Sequence, residues 1–399
     1  MARPIKAAGK TDKPTATKTA RSGRNLVIMC DGTGNELGRN LSNVLKLFRI
    51  ADKNTTQLCY YNPGVGTISR ENPWARFTQK LNGVLGLAFG KGLDDNVLGA
   101  YRFLVENWRE GDRIYLFGFS RGAWTARVLA GFLHLIGLVR PEQINMSEAA
   151  LGTYKRAAKE NDLPLAWHFS RVIGARSPVV HFVGVWDTVA SVLVPRPDRF
   201  WIPSLETLPY TRTNPSVAIF RHALALDEKR RMFRVAAWSE PQEHKPNPFN
   251  KATKPQDIKQ VWFPGVHSDI GGGYPESESG LSKIPLIWML EEAKAAGLRI
   301  NTAMLNHLGH GKERKGSNHV YVPPSATAMM HQSLKGAWKL LEWIPKQVKY
   351  REGNRPAWLG FYLPRAEPRF VDAGAAIDPS VADRMDKLPD YQPANLPGQ

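Results

Sequence analysis

The sequence predicts an α/β protein: a mostly parallel central sheet with helices on both faces, followed by a basic C-terminal extension rich in Pro and Trp. Three observations carry this. Short apolar runs alternate with helical stretches, which is the signature of parallel strands joined by crossover helices. The apolar runs close on Gly, Asn, Asp or Pro, so each ends where a strand must turn. Hydrophobic residues make up 42% of the 399 positions, enough to bury a sizeable core.

The elements follow in order. Residues 26–30 read as a buried strand ending at Asp31-Gly32-Thr33-Gly34-Asn35, and 58–61 as a second strand closed by Asn62-Pro63-Gly64. A helix is expected over 94–108, and Gly111-Asp112 turns the chain into a third strand at 113–117. A helix over 121–135 follows, then a fourth strand at 179–186 that ends at Asp187. A helix over 215–231 and strands at 233–238 and 260–263 complete the alternation, with Ser282 capping a last core helix that stops at Gly297. Two stretches interrupt it. Residues 192–215, rich in Pro and aromatics, are a candidate lid or rim, and from about 320 onward Pro and Trp become frequent.

These readings divide the chain into a disordered basic tail at 1–24, a catalytic domain at 25–300, and an extension at 301–399 that packs on the domain or contacts membrane. The tail mixes Lys and Arg with Ala, Thr and Pro and has no apolar periodicity, so it cannot offset its chain entropy. Cys30 and Cys59 lie in strand runs and read as small buried side chains, not a disulfide framework. Neither a signal peptide nor an apolar run of about 18 residues is visible, so synthesis in the cytoplasm is expected.

The formal net charge of +18 favours phosphate-bearing partners, either an anionic membrane surface or nucleic acid. Nucleic acid is the weaker choice, because no zinc-ligand spacing, helix-turn-helix or RNP pattern accompanies the charge. Residues 328–344 can form a helix with Met330, Leu334, Trp338 and Leu341 roughly on one face. Such a stripe packs on its own domain or lies in a bilayer interface. No cofactor motif is present. Asp31, Asp94, Asp95 and Asp269 could in principle serve a metal, but Asp94-Asp95 at a helix start is favourable without one.

Gly118-Phe119-Ser120-Arg121-Gly122 fits G-x-S-x-G, entered by a strand and left by a helix, the context a nucleophile elbow demands. The glycines let strand and helix backbones pass beside a strained serine, and Gly122, Ala126 and Ala130 give the helix a smooth face toward the sheet. A serine hydroxyl needs an imidazole to take its proton, and the imidazole needs a carboxylate to fix its tautomer. In hydrolases of this α/β class the order along the chain is Ser, acid, His. Asp187 closes a buried strand and His267 follows a later one, so Ser120, Asp187 and His267 satisfy the order. Asp269 is the rival acid or a residue that braces its loop. His134, His181 and His222 read as core histidines, His222 within a helix. Oxyanion donors are expected from the Arg121 amide and from the turn at Gly32 and Thr33. Asp31-Gly32-Thr33 also resembles the end of the D-x-D-G-T phosphatase motif, but Met29 occupies the place of the nucleophilic aspartate, which excludes that mechanism.

Taken together, six ordered motifs resemble the catalytic domain of type VI secretion phospholipase effectors of the first lipase class. They are Cys30-Asp31-Gly32-Thr33-Gly34-Asn35, Tyr61-Asn62-Pro63-Gly64-Val65-Gly66, Gly92-Leu93-Asp94-Asp95-Asn96, Gly118-Phe119-Ser120-Arg121-Gly122-Ala123, Trp186-Asp187-Thr188-Val189 and Pro264-Gly265-Val266-His267-Ser268-Asp269-Ile270-Gly271-Gly272. The resemblance runs from about residue 26 to 298. It implies an α/β-hydrolase-like fold, a Ser-Asp-His triad and ester hydrolysis with glycerophospholipid as substrate. Secretion by a route that needs no signal peptide is also implied. By position, Ser120 is the nucleophile, His267 the base and Asp187 the acid. A general esterase on soluble substrates, and a basic binding protein on a hydrolase fold, are the other readings the sequence allows.

Overall fold

Strands buried on both faces must be apolar at consecutive positions, and the first strand shows why. In the computed structural model β1 (Asn25–Cys30) is buried throughout. Its Leu26, Ile28 and Cys30 point into one hydrophobic cluster, while Val27 and Met29 point into a second on the opposite face. The structure describes residues 23–32, 40–64, 89–189, 193–195, 203–205, 208–230, 233–246, 252–336, 338–339, 342–343, 345–347 and 361–397. Most of the predicted N-terminal tail falls outside these residues, as do 192, 196–202 and 206–207 of the predicted lid.

The remaining core elements are α1 (Asn43–Ile50), β2 (Gln57–Asn62), α2 (Phe89–Asn107), β3 (Arg113–Phe119), α3 (Arg121–Leu135), α4 (Ser147–Glu160) and α5 (Leu163–Val172). They continue with β4 (Val180–Trp186), β5 (Val217–Ala225), β6 (Asp257–Phe263), α6 (His267–Gly271), α7 (Gly280–Ala295), α8 (Thr302–Leu308), β7 (Ala376–Ile377) and α9 (Pro379–Lys387). Seven strands form one sheet in the order β7-β6-β5-β4-β3-β1-β2, and each described pairing in it is parallel. Helices α2 to α5 cover one face; α1, α7 and α8 cover the other. The order reverses at β1, whose neighbours are β2 on one side and β3 on the other. In open α/β sheets, ligands bind outside the strand C-termini at such a switch point. No helix among the described residues is long and apolar enough to cross a membrane.

The structure corrects five local expectations. Residues 217–225 form a central strand, not a helix, so His222 lies in β5 between β4 and β6. The segment 233–238 is irregular, with one isolated bridge from Val235 to Val189. Side chains replace its ladder: the Arg127 guanidinium takes the Ala236 carbonyl, and Gln260 pairs with both backbone groups of Trp238 at 2.7 and 2.9 Å. Ser282 sits inside α7, donating to the Ser279 carbonyl, and Ser279 holds the cap position. The helix expected over 328–344 is absent from 328–336, where the chain runs without regular structure. Asp94 lies within α2, not at its start, and pairs with Lys155 at 2.8 Å.

The C-terminal segment closes the sheet. The two residues of β7 pair with β6, and Val371, Val381 and Tyr391 bury Leu224, Leu226 and Trp262 in a third cluster.

Candidate active site

Between β3 and α3 the chain reverses in one residue, and space decides the sequence there. A Cβ on Gly118 would stand 2.4 Å from the Gly122 carbonyl oxygen, and one on Gly122 would stand 2.0 Å from the Cys30 carbonyl oxygen. Only glycine lets α3 lie this close to the ends of β1 and β3. Ser120, between them, adopts φ 57° and ψ −119°, a conformation L-residues rarely take. Its amide donates to the Trp186 carbonyl at 3.1 Å, which ties the turn to the end of β4. A strained, half-buried serine at a sheet's C-terminal edge is an observation from which function can be argued. Cys30, the nearest thiol on β1, is no competitor, since burial first and the Asp31 charge second push it up to about 12.

Asp187 follows β4 and is fully buried, with its own φ at 38°. His267 opens α6, where a loop was expected. A glycine explains its place: a Cβ on Gly271 would lie 2.0 Å from the Phe119 ring, so α6 packs flush against the residue before Ser120. The His267 ring then stands 4.7 Å from the Phe119 ring and 4.7 Å from the Phe233 ring. His267 Nδ1 lies 2.5 Å from Asp187 Oδ2. An ionised carboxylate only accepts, so Nδ1 carries the proton and Nε2 holds the lone pair of the neutral ring.

Electrostatics keep that pair in the right charge state. Burial alone would raise the Asp187 carboxyl, but the Arg369 guanidinium and then His267 hold it well below the carboxylate range. For His267 burial is the largest influence and pulls the imidazole below its ordinary value; the Asp187 hydrogen bond and charge oppose it. Arg230 pulls the same way as burial, and Glu228 opposes it. The ring therefore rests neutral.

The other predicted residues are less directly involved. Asp269 faces away from this pair: its Oδ1 lies 2.7 Å from His331 Nδ1, and its Oδ2 accepts from the Val266 amide at 3.0 Å. It braces the loop. The Gly32 amide donates to Asp31 Oδ1 at 2.7 Å, so it is already engaged, and Thr33 lies outside the described residues. Arg121 occupies the first position of α3, directly after Ser120.

Three side chains around the pair, Arg369, Glu228 and Arg230, have no signal in the sequence, and a fourth, His222, is the buried core histidine expected. Arg369 holds both Asp187 oxygens. Buried Glu228 accepts the His267 amide at 3.2 Å and a hydroxyl proton from Ser333 at 2.9 Å. Arg230 grips Glu228 at 2.8 Å and stacks over Phe233. His222 accepts the Thr188 amide at 3.1 Å, which fixes the turn bearing Asp187. Burial pushes His222 down to about 3, so it stays an acceptor. The core position expected of His222 holds, on a strand in place of a helix.

With this geometry in view, the chain can be set beside known proteins. A model of the type VI secretion phospholipase effector Tle1-like catalytic domain matches residues 24–292. Uncharacterized protein YEL023C of Saccharomyces cerevisiae is 34% identical over 228 residues, covering 53% of this chain and 32% of its own length. The chain thus spans about a third of that relative. Two solved structures are similar at low identity. An uncharacterized protein from Pseudomonas aeruginosa is 18% identical with a TM-score of 0.38, over 70% of this chain and 46% of that one. The Tle1 effector bound to the VgrG spike of the type VI secretion system is 20% identical with a TM-score of 0.33, over 69% and 57%.

Proposed function

The chain belongs to the type VI secretion phospholipase effector Tle1-like catalytic-domain family, and on that premise we propose that it is a serine hydrolase cleaving carboxylic esters of phospholipids through an acyl-Ser120 intermediate. Family membership supports a lipolytic hydrolase. The observation that carries the serine mechanism is the strained Ser120 turn at the sheet edge that also bears the buried His267–Asp187 pair.

In this reading the Ser120 hydroxyl attacks the ester carbonyl while His267 Nε2 takes its proton. Asp187 holds the ring in the required tautomer and stabilises the imidazolium. The Arg121 amide donates to the oxyanion. His267 then returns the proton to the leaving alcohol, and a water, deprotonated by the same ring, releases the fatty acid. Residues 25–300 carry these groups and the extension completes their surroundings. Export as an effector, and contact of the basic surface with anionic membrane, belong to the same proposal.

The test is hydrolysis of short p-nitrophenyl esters beside mixed phospholipid vesicles, with Ser120→Ala as control. Release of fatty acid from vesicles by the wild type alone supports a phospholipase. Turnover of soluble esters without vesicle cleavage leaves a general esterase, and equal turnover by both proteins removes the enzyme reading.

Two further outcomes are expected. Asp187→Asn should lower kcat by roughly 10⁴-fold, the loss that follows when the histidine tautomer is released in a serine protease triad. Asp269→Asn, which touches the His331 and Val266 contacts of its loop and not the His267–Asp187 pair, should leave kcat within about tenfold; the reverse ranking would transfer the acid role to Asp269. In a pH profile of kcat/KM on a soluble ester, the acid limb should fall below the ordinary histidine value of 6.5, because burial depresses His267 and its base form persists into acid. A limb above 6.5 would contradict a dry, neutral His267.

A further inference from the structure

Arg369 lies outside the stretch that matches the family, 182 residues from Asp187 along the chain, yet it touches the centre of the site. Its Nη1 donates to Asp187 Oδ1 at 2.6 Å and its Nη2 to Oδ2 at 3.0 Å. The same guanidinium donates to the Ala225 carbonyl at 2.9 Å and to the Phe233 carbonyl. Asp187 Oδ1 also accepts the Ala225 amide at 3.0 Å. Each carboxylate oxygen therefore has two donors, and the fork of the guanidinium sets the carboxylate plane. That plane in turn sets the direction of the Nδ1 bond to His267. The backbone carbonyl of Arg369 accepts from Asn395 at 3.0 Å, and Asn395 also donates to the Leu226 carbonyl at 3.0 Å, which ties the C-terminal segment to the chain just after β5.

We infer that Arg369 is a positioning residue for the Asp187–His267 pair, supplied to the catalytic domain by the C-terminal segment. The inference rests on the serine-hydrolase reading. It has a charge component as well as a geometric one. The charged groups around the imidazole are Asp187 after β4, Glu228 and Arg230 after β5, and Arg369 behind Asp187; the flanking faces are the rings of Phe119 and Phe233. Without Arg369 the Asp187 carboxylate would attract an imidazolium more strongly, opposed only by burial and by the Arg230 cation. Its cation disfavours the protonated ring, and so keeps His267 available as a base at lower pH.

Arg369→Gln keeps a donor but removes the cation, so His267 should titrate higher, by roughly one pH unit. Arg369→Lys keeps the cation but loses the fork; His267 should titrate as in the parent, while kcat falls roughly 10–100-fold with KM unchanged. The ring is titrated by NMR on histidine-labelled full-length protein carrying Ser120→Ala, and kcat and KM are measured with Ser120 intact. The NMR readout needs no turnover, so absence of esterase activity overturns the enzyme reading without touching the coupling. An unchanged His267 titration in folded Arg369→Gln, judged by far-UV circular dichroism, overturns the charge role. If that variant does not fold, Arg369→Lys decides: lowered kcat with unmoved KM and acid limb supports positioning, and wild-type kcat overturns it.

Discussion

Replacing Ser120 should abolish turnover while leaving the fold intact, and the choice of replacement should separate chemistry from strain. Ser120→Ala and Ser120→Gly both remove the nucleophile. In serine hydrolases that loss amounts to roughly 10⁶-fold in kcat when measured in a protease triad, and a loss of at least about 10⁴ is expected here. Stability should move differently. At φ 57° an alanine inherits the strain of the serine, whereas glycine occupies that region without a Cβ penalty. Strain at such positions costs about 1–3 kcal/mol, and glycine returns part of the gain as unfolded-state entropy. Ser120→Gly is therefore expected to be inactive and more stable than the wild type, by about 1 kcal/mol. Thermal melts of the three proteins, run with the activity assay, check both statements. If glycine is the less stable replacement, the turn is not strained.

Gly122→Ala should have the largest effect on stability. Gly122 takes ordinary helical dihedrals, so conformation does not demand glycine; space does. The added methyl would stand 2.0 Å from the Cys30 carbonyl oxygen and 2.6 Å from that of Asp31. Neither contact is with a movable side chain, so α3 must lift off the sheet. Overpacking costs about 1–3 kcal/mol where neighbours can yield, and more where they cannot. A loss above about 3 kcal/mol is expected, with activity lost in whatever remains folded, since the Arg121 amide moves with the helix. Gly152→Ala is the control. That glycine also lies inside a helix, α4, but its added methyl would meet nothing within 4 Å. There alanine should stabilise by about 0.5–1 kcal/mol, through helix propensity alone. Melting temperatures of the two variants should therefore move in opposite directions.

Strand β5 carries a pattern that suits a helix. Val217, Phe220 and Leu224 recur at i, i+3 and i+7, which suits a helix, and the segment also carries Arg221 and His222, unusual in a sheet interior. What makes it a strand is its neighbours. Between β4 and β6 both of its faces are covered, and Arg221 is neutralised by Glu292 at 2.6 Å and Asp257 at 2.9 Å. Those partners lie 36 and 71 residues away in the chain. A local window cannot contain them. The same holds for the stripe expected around Met330 and Trp338: the Trp338 ring instead meets Phe233 edge-on at 5.5 Å, in the shell around His267.

By itself the sequence determined the alternating architecture, the glycine-framed Ser120 turn and the chain order of Ser120, Asp187 and His267. Each of these is written locally, because a strand buried on both faces must be apolar throughout and a backbone contact at 2 Å admits only glycine. Tertiary structure alone decided which carboxylate meets His267, that Asp269 goes to His331 instead, and that Arg369, Glu228 and Arg230 surround the pair. A buried charge is tolerated only beside an opposite charge or hydrogen-bond donors, and it takes them from wherever folding brings them, however distant along the chain.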